Sequence, residues 1–119
     1  MSEPIPATEK FRTKVATAVA MGGSVPAITH VAWGADGTPA PITENTLRNL
    51  VHMQPVSSAI ATGPLLSIIT VLRGEDANGI AIRELGLFDS DGDMAARRTF
   101  SPKELDDGTE FETTLELQF

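Results

Sequence analysis

Arg83-Glu84-Leu85-Gly86-Leu87-Phe88-Asp89-Ser90-Asp91-Gly92-Asp93-Met94-Ala95-Ala96-Arg97-Arg98-Thr99-Phe100 reads as a β-hairpin, and that reading decides the fold. Apolar runs flank Asp91-Gly92, and both residues of the pair tolerate the positive φ of a two-residue type I′ turn. Such a loop predicts the register, with Ser90 facing Asp93, Phe88 facing Ala95 and Gly86 facing Arg97. Glu84 then stands opposite Thr99 and diagonal to Arg97 on one face, while Leu85, Leu87, Met94, Ala96 and Phe100 fall on the other. Apolar side chains on both faces suit a hairpin inside a packed sheet.

Toward the C-terminus, Ser101 to Gly108 reads as a connection. Phe111, Thr113, Leu115, Leu117 and Phe119 then alternate with Glu112, Thr114, Glu116 and Gln118, the period of two of a strand with one wet face. Toward the N-terminus, Arg73 to Gly79 is a turn, and the β-branched content of Val56 to Ile60 and Leu65 to Leu72 favours strands broken at Gly63-Pro64. Thr43 to Val51 could open as a short capped helical turn, because Leu47, Leu50 and Val51 share a helical face. Gly34 to Pro41, with two Gly and two Pro, is a surface loop. Val25 to Trp33 precedes it as a strand, with Pro26 near its start. Thr8 is a plausible N-cap for a helix with Glu9 in its first turn, an apolar stripe of Phe11, Val15, Ala18 and Val19, and a stop at Gly22-Gly23. Residues 1–7, with Pro4 and Pro6, form an extended arm. The expected architecture is therefore α+β in a single domain over residues 8–119. An N-terminal helix packs on a mostly antiparallel β-sheet, with the hairpin at residues 80–100.

The chain has 119 residues, enough for one core without staples. It has no cysteine, which excludes disulfides, thiolate nucleophiles and Cys-based metal sites. Nine Lys and Arg against sixteen Asp and Glu give a net charge of −7, which argues against binding nucleic acid or an anionic membrane by bulk electrostatics. Its small basic clusters, Lys10, Arg12 and Lys14 on the predicted helix and Arg97-Arg98 on a strand, read as solvated faces or local salt-bridge partners. The first ten residues lack the apolar run of a secretory signal, and Ala59 to Leu72 is shorter than the ~20 residues of a membrane helix. The sequence expectation is a soluble protein made in the cytoplasm.

Candidate chemistry is sparse. Asp89, Asp91 and Asp93 have the spacing that opens a calcium loop, but the glycine precedes the third Asp and Phe100 stands where a bidentate Glu is needed. They read as a polar hairpin tip. His30 and His52 have no second ligand at i+2 or i+4 and read as structural or incidental. There is no G-x-S-x-G elbow, P-loop or dinucleotide fingerprint. Trp33, the single tryptophan, suits a core or interface anchor. No catalytic residue, metal ligand, cofactor or small-molecule substrate is expected.

Taken in order, four segments resemble the N-terminal domain of bacteriophage tail fibre proteins, the phage tail-collar fibre family. Phe11 to Gly22 resembles the family's opening helix and glycine. Val25 to Gly34 resembles the strand running into its Gly-rich loop, and Leu47-Arg48-Asn49-Leu50-Val51 stands where such domains carry a short leucine-containing segment. Arg83 to Asp89, followed by Asp91-Gly92, is similar to the family's most recognisable string. The likeness spans about residues 10 to 119 and implies a structural virion part, a domain at the base of a fibre that fixes it to the baseplate. Expected partners are tail fibre or baseplate proteins, with homo-oligomer formation, threefold by the resemblance. The expected location is the virion or a tail-like particle, after synthesis in the host bacterial cytoplasm. With the sequence ending at Phe119, an attachment subunit or a piece of a longer fibre is expected rather than a receptor binder. A small assembly chaperone or adaptor absent from the finished particle is the alternative. The closing strand offers an edge for pairing, with Leu115, Leu117 and Phe119 as the expected interface residues.

Overall fold

The computed structural model describes residues 5, 7–38, 47, 49–77 and 79–118. In chain order its elements are α1 (Glu9–Met21), β1 (Ile28–Gly34), β2 (Leu50–Pro55), β3 (Ser58–Thr62), β4 (Leu65–Arg73), the single turn α2 (Gly74–Ala77), β5 (Ile82–Asp89), β6 (Met94–Lys103) and β7 (Glu110–Gln118). All strand pairs are antiparallel. They form two sheets, one in the order β2-β1-β5-β6 and one in the order β3-β4-β7. The fold is α+β, an N-terminal helix packed on antiparallel sheets.

The sequence suggested one sheet under a helix, and the structure divides the strands between two that share a core. Val31, Trp33, Leu85, Leu87 and Ala96 from the first sheet meet Ile68, Leu72, Leu115 and Leu117 from the second, all essentially removed from water. The physical reason lies in the helix. Two alternating apolar faces need cover, and α1 is 13 residues long with only Phe11 buried, so the sheets cover each other. Along the expected stripe Val15 is half-buried and Val19 is 79% exposed. The helix ends are as read: Thr8 Oγ1 accepts from the Phe11 amide at 3.2 Å, and Gly22 caps the C-terminus in the left-handed region.

The hairpin holds the predicted register in its body and departs from it at the tip. Gly86 faces Arg97 and Glu84 faces Thr99, but Phe88 faces Met94 rather than Ala95, with a bulge between. That extra residue turns Met94 to the opposite face from Leu87 and Ala96, into a small cluster with Ala32, Leu47 and Phe88. The loop is correspondingly longer than expected. The Asp89 amide donates to the Asp93 carbonyl (2.9 Å) and the Gly92 amide to the Asp89 carbonyl (3.0 Å), which leaves three loop residues with Gly92 last, at φ 86°. This is a turn followed by a left-handed glycine, the usual three-residue hairpin solution. Gly92→Val forces a β-branched residue into that region, so we expect a loss of about 1–2 kcal/mol. Urea unfolding of the variant tests this, with Gly92→Asn expected to lose less because Asn tolerates the left-handed region.

Three other boundaries shift. The strand expected from Val25 begins at Ile28, leaving Pro26 outside the ladder. Leu50 and Val51 belong to β2 rather than to a helical turn; residues 43–46 and 48 of that expected turn lie outside the described residues. Finally, β6 continues through Pro102 to Lys103 at the sheet edge, where a missing N–H costs nothing in the ladder.

The end of the N-terminal arm closes one side of the molecule. Ile5 N donates to the Glu116 carbonyl (2.8 Å), Ala7 bridges to Ala96, and Thr8 N donates to the Ala95 carbonyl (2.7 Å). The chain thus stitches the edge of β6 to the edge of β7. On the other side β2 and β3, joined by only Val56-Ser57, have no strand beyond them among the described residues.

Candidate functional site

Two polar clusters are built on the β5–β6 hairpin, and the Asp triplet that the sequence reading singled out forms one of them. At the hairpin tip, Asp89, Asp91 and Asp93 bring carboxylate oxygens within 4.8 Å of one another. Asp89 organises them. Its Oδ1 accepts from the amides of Asp91 (2.9 Å) and Asp93 (3.1 Å), while its Oδ2 faces α1. There Lys14 Nζ donates to all three side chains, at 2.7 Å to Asp89, 3.0 Å to Asp91 and 2.8 Å to Asp93. Lys10, one helical turn earlier, adds a 3.0 Å contact to Asp93. Burial works against the Lys14 charge, but the three carboxylates outweigh it and hold its proton above the ordinary lysine range. The cation that this triplet binds in the structure is the chain's own ammonium.

The second cluster lies along the hairpin body. Glu84 is fully buried, and its Oε1 accepts from Arg97 Nε and Nη2, both at 3.0 Å. Glu84 Oε2 accepts from the amides of Asp36 and Asn49, each at 3.1 Å. Arg97 in turn donates to the carbonyls of Thr38 (2.9 Å) and Asp36 (3.1 Å). One ion pair therefore satisfies four backbone groups and fixes both ends of the segment between β1 and β2 onto the sheet. Beside it Leu47 lies over Gly86, where an added Cβ would stand 2.9 Å from Leu47 Cδ2, 3.2 Å from Met94 Sδ and 3.3 Å from a Phe88 ring carbon. Gly86 leaves the flat seat that Leu47 fills.

The other candidates stay apart from these clusters. Trp33 is fully buried and stacks on His52, with ring centroids 6.1 Å apart. His52 Nε2 also meets Gln54 Oε1 at 3.0 Å, and Gln54 ties β2 to β4 through the Val71 carbonyl. His30 contacts the neighbouring Thr29 hydroxyl on the opposite face of β1. Leu115 and Leu117 point into the core, 0% and 1% exposed, so their side chains are occupied by this chain; Phe119 lies outside the described residues. The free edge of β7 carries Glu110, Glu112 and Glu116 and is crossed by Ile5.

An apolar groove of about 440 Å³ runs between α1 and the open end of the β3–β4 hairpin, lined by Phe11, Val15, Pro26, Ile28, Ala59 and Leu66 among others. No sequence signal announced it, because its walls come from elements far apart in the chain. No helix among the described residues is long and apolar enough to cross a membrane. Compared with family models, curated proteins and solved structures, the chain matches none.

Proposed function

We propose that this chain is a structural, non-catalytic part of a phage tail or tail-like particle, which attaches a tail fibre to the baseplate. One observation carries the reading: the four segments that resemble the tail-collar fibre family, scattered over the chain, interlock around a single hairpin. Lys14 of the first reaches Asp89, the strand ending in Trp33-Gly34 pairs with Leu85 and Glu84, and Leu47 of the third sits on Gly86. The residues that make the Arg83 to Asp89 string recognisable are thus the ones that hold the unit together. Both polar clusters are engaged in internal bonds, which favours a role in binding and positioning over chemistry.

Density-gradient-purified particles, probed with an antibody to this protein, test the reading. Co-migration with fibre and baseplate proteins at fixed stoichiometry is the expected result. Absence from the particle combined with binding to free fibres would replace it with the assembly-chaperone reading. Absence from both would overturn it.

A further inference from the structure

Among the described residues β3 has no strand on its outer edge, and its sequence is self-complementary. Ser58-Ala59-Ile60-Ala61-Thr62 is close to a palindrome about Ile60, and Ala59 to Thr62 are exposed, Ile60 by 55%. The hairpin to β4 turns on Gly63-Pro64 with Gly63 at φ 60°, which fits a type II′ turn, and Thr62 faces Leu65. In such a two-residue hairpin the flanking pair exchanges hydrogen bonds and bonded pairs recur at every second position. Thr62, Ile60 and Ser58 therefore direct their backbone groups to β4. Ala59 and Ala61 direct theirs to the open side.

We propose that two copies of this chain associate through an antiparallel β3–β3 pairing about a two-fold axis at Ile60, which joins the two three-stranded sheets into one of six strands. An isologous contact requires a self-complementary surface, and this register supplies one. Ala59 of one copy faces Ala61 of the other in two bonded pairs, Ile60 faces Ile60, and Ser58 faces Thr62. Hydroxyl pairs and apolar β-branched pairs are favourable cross-strand neighbours. Ala59 also lines the apolar groove beside Phe11 and Leu66, so the second copy would continue that floor.

Charge selects the same edge. The chain carries −7, yet no Asp, Glu, Lys or Arg occurs between Arg48 and Arg73. Natural edge strands are ordinarily guarded by charge, and β3 has none. The alternatives fail on this test or on geometry. Self-pairing of β7 would set its glutamates against one another, β6 and β7 are both crossed by the arm, and β2 paired about Met53 would place Pro55, which has no N–H, against Val51. Five residues per copy fall short of the ~800 Å² per partner of a standard interface, so the dimer should form in a concentration-dependent equilibrium. Screening the like net charges should strengthen it.

Sedimentation of the wild-type chain from micromolar concentration to ~1 mM, at low and at moderate salt, is the first test. A monomer–dimer equilibrium that tightens with salt is expected, with Ile60→Lys weakening it at least tenfold while leaving the circular dichroism spectrum and the melting midpoint of the monomer, read at micromolar concentration, unchanged. Amide exchange gives a readout without substitution: the Ala59 and Ala61 amides should slow as concentration rises, while that of Ile60 stays the same. A single 12.6 kDa species throughout, a trimer, or a dimer indifferent to Ile60→Lys would each overturn the proposal. None of these outcomes depends on whether the protein is found in a particle.

Discussion

Replacing Glu84 with Ala is expected to lower the unfolding free energy by about 3–5 kcal/mol, the range found when one partner of a buried ion pair is removed. The loss has two parts. Arg97, whose side chain is only 7% exposed, keeps a charge with no carboxylate facing it from Glu84, and the amides of Asp36 and Asn49 lose the oxygen they share. For a domain of this size the melting midpoint should fall by on the order of 10–20 °C. A double variant, Glu84→Leu with Arg97→Met, separates the parts. If the pair mattered only as two opposite charges, an apolar replacement would restore most of the stability. Here it should restore less than half, because the hydrogen bonds that Glu84 and Arg97 make to the carbonyls of Asp36 and Thr38 and to the amides of Asp36 and Asn49 are lost in the double variant as well. Urea unfolding measures the total. Amide exchange at Asp36 and Asn49 shows whether the segment has come loose, and slow exchange there in the double variant would count against the anchoring role.

Sequence alone gave access to interactions that rest on local periodicity and missed those that rest on where distant backbones meet. The pairing of Glu84 with Arg97 was legible because both lie on one hairpin, where strand period and register put them diagonally on one face. The same reasoning failed four residues later. Asp91-Gly92 has the composition of a two-residue turn, but Asp89 reaches the amides of Asp91 and Asp93 with its own carboxylate and stabilises the longer loop, and Met94 changes face as a result. The division into two sheets was hidden for a similar reason. The alternation in β7 states that one face is apolar, not what covers it. Leu115 and Leu117 were readable as apolar and strand-borne, and only packing reveals that they fill this chain's own core. For Leu50 and Val51, helical and strand spacings overlap in so short a run, and pairing with β1 decided between them. The segment that Glu84 and Arg97 hold contributes backbone groups, which carry no side-chain signature at all.

Lys14 tests the hairpin tip in the same spirit, and calcium is the probe. In the wild type, melting curves in calcium and in chelator should coincide, because a tethered ammonium already bonds to Asp89, Asp91 and Asp93 and a divalent ion would have to displace it. Lys14→Ala leaves three carboxylates within 4.8 Å of each other, one of them with a fully buried side chain. The expected loss is about 2–3 kcal/mol, below the ~3–5 of a fully buried pair because the Lys14 side chain is 19% exposed. In that variant, and not in the wild type, calcium at millimolar concentration should recover part of the midpoint, since oxygen ligands that have lost Lys14 and keep only the exposed Lys10 on Asp93 suit a hard ion. The pH dependence follows from the direction of the lysine shift. Lys14 is held above its ordinary value of 10.5, so its contribution is complete below that pH and disappears as pH rises through the higher folded-state value. Between pH 7 and 10 the difference in stability between wild type and Lys14→Ala should therefore be flat, and above that range it should shrink. A wild-type midpoint that rises by several degrees with calcium, or a difference that grows in alkali, would show that the carboxylates are not held by Lys14.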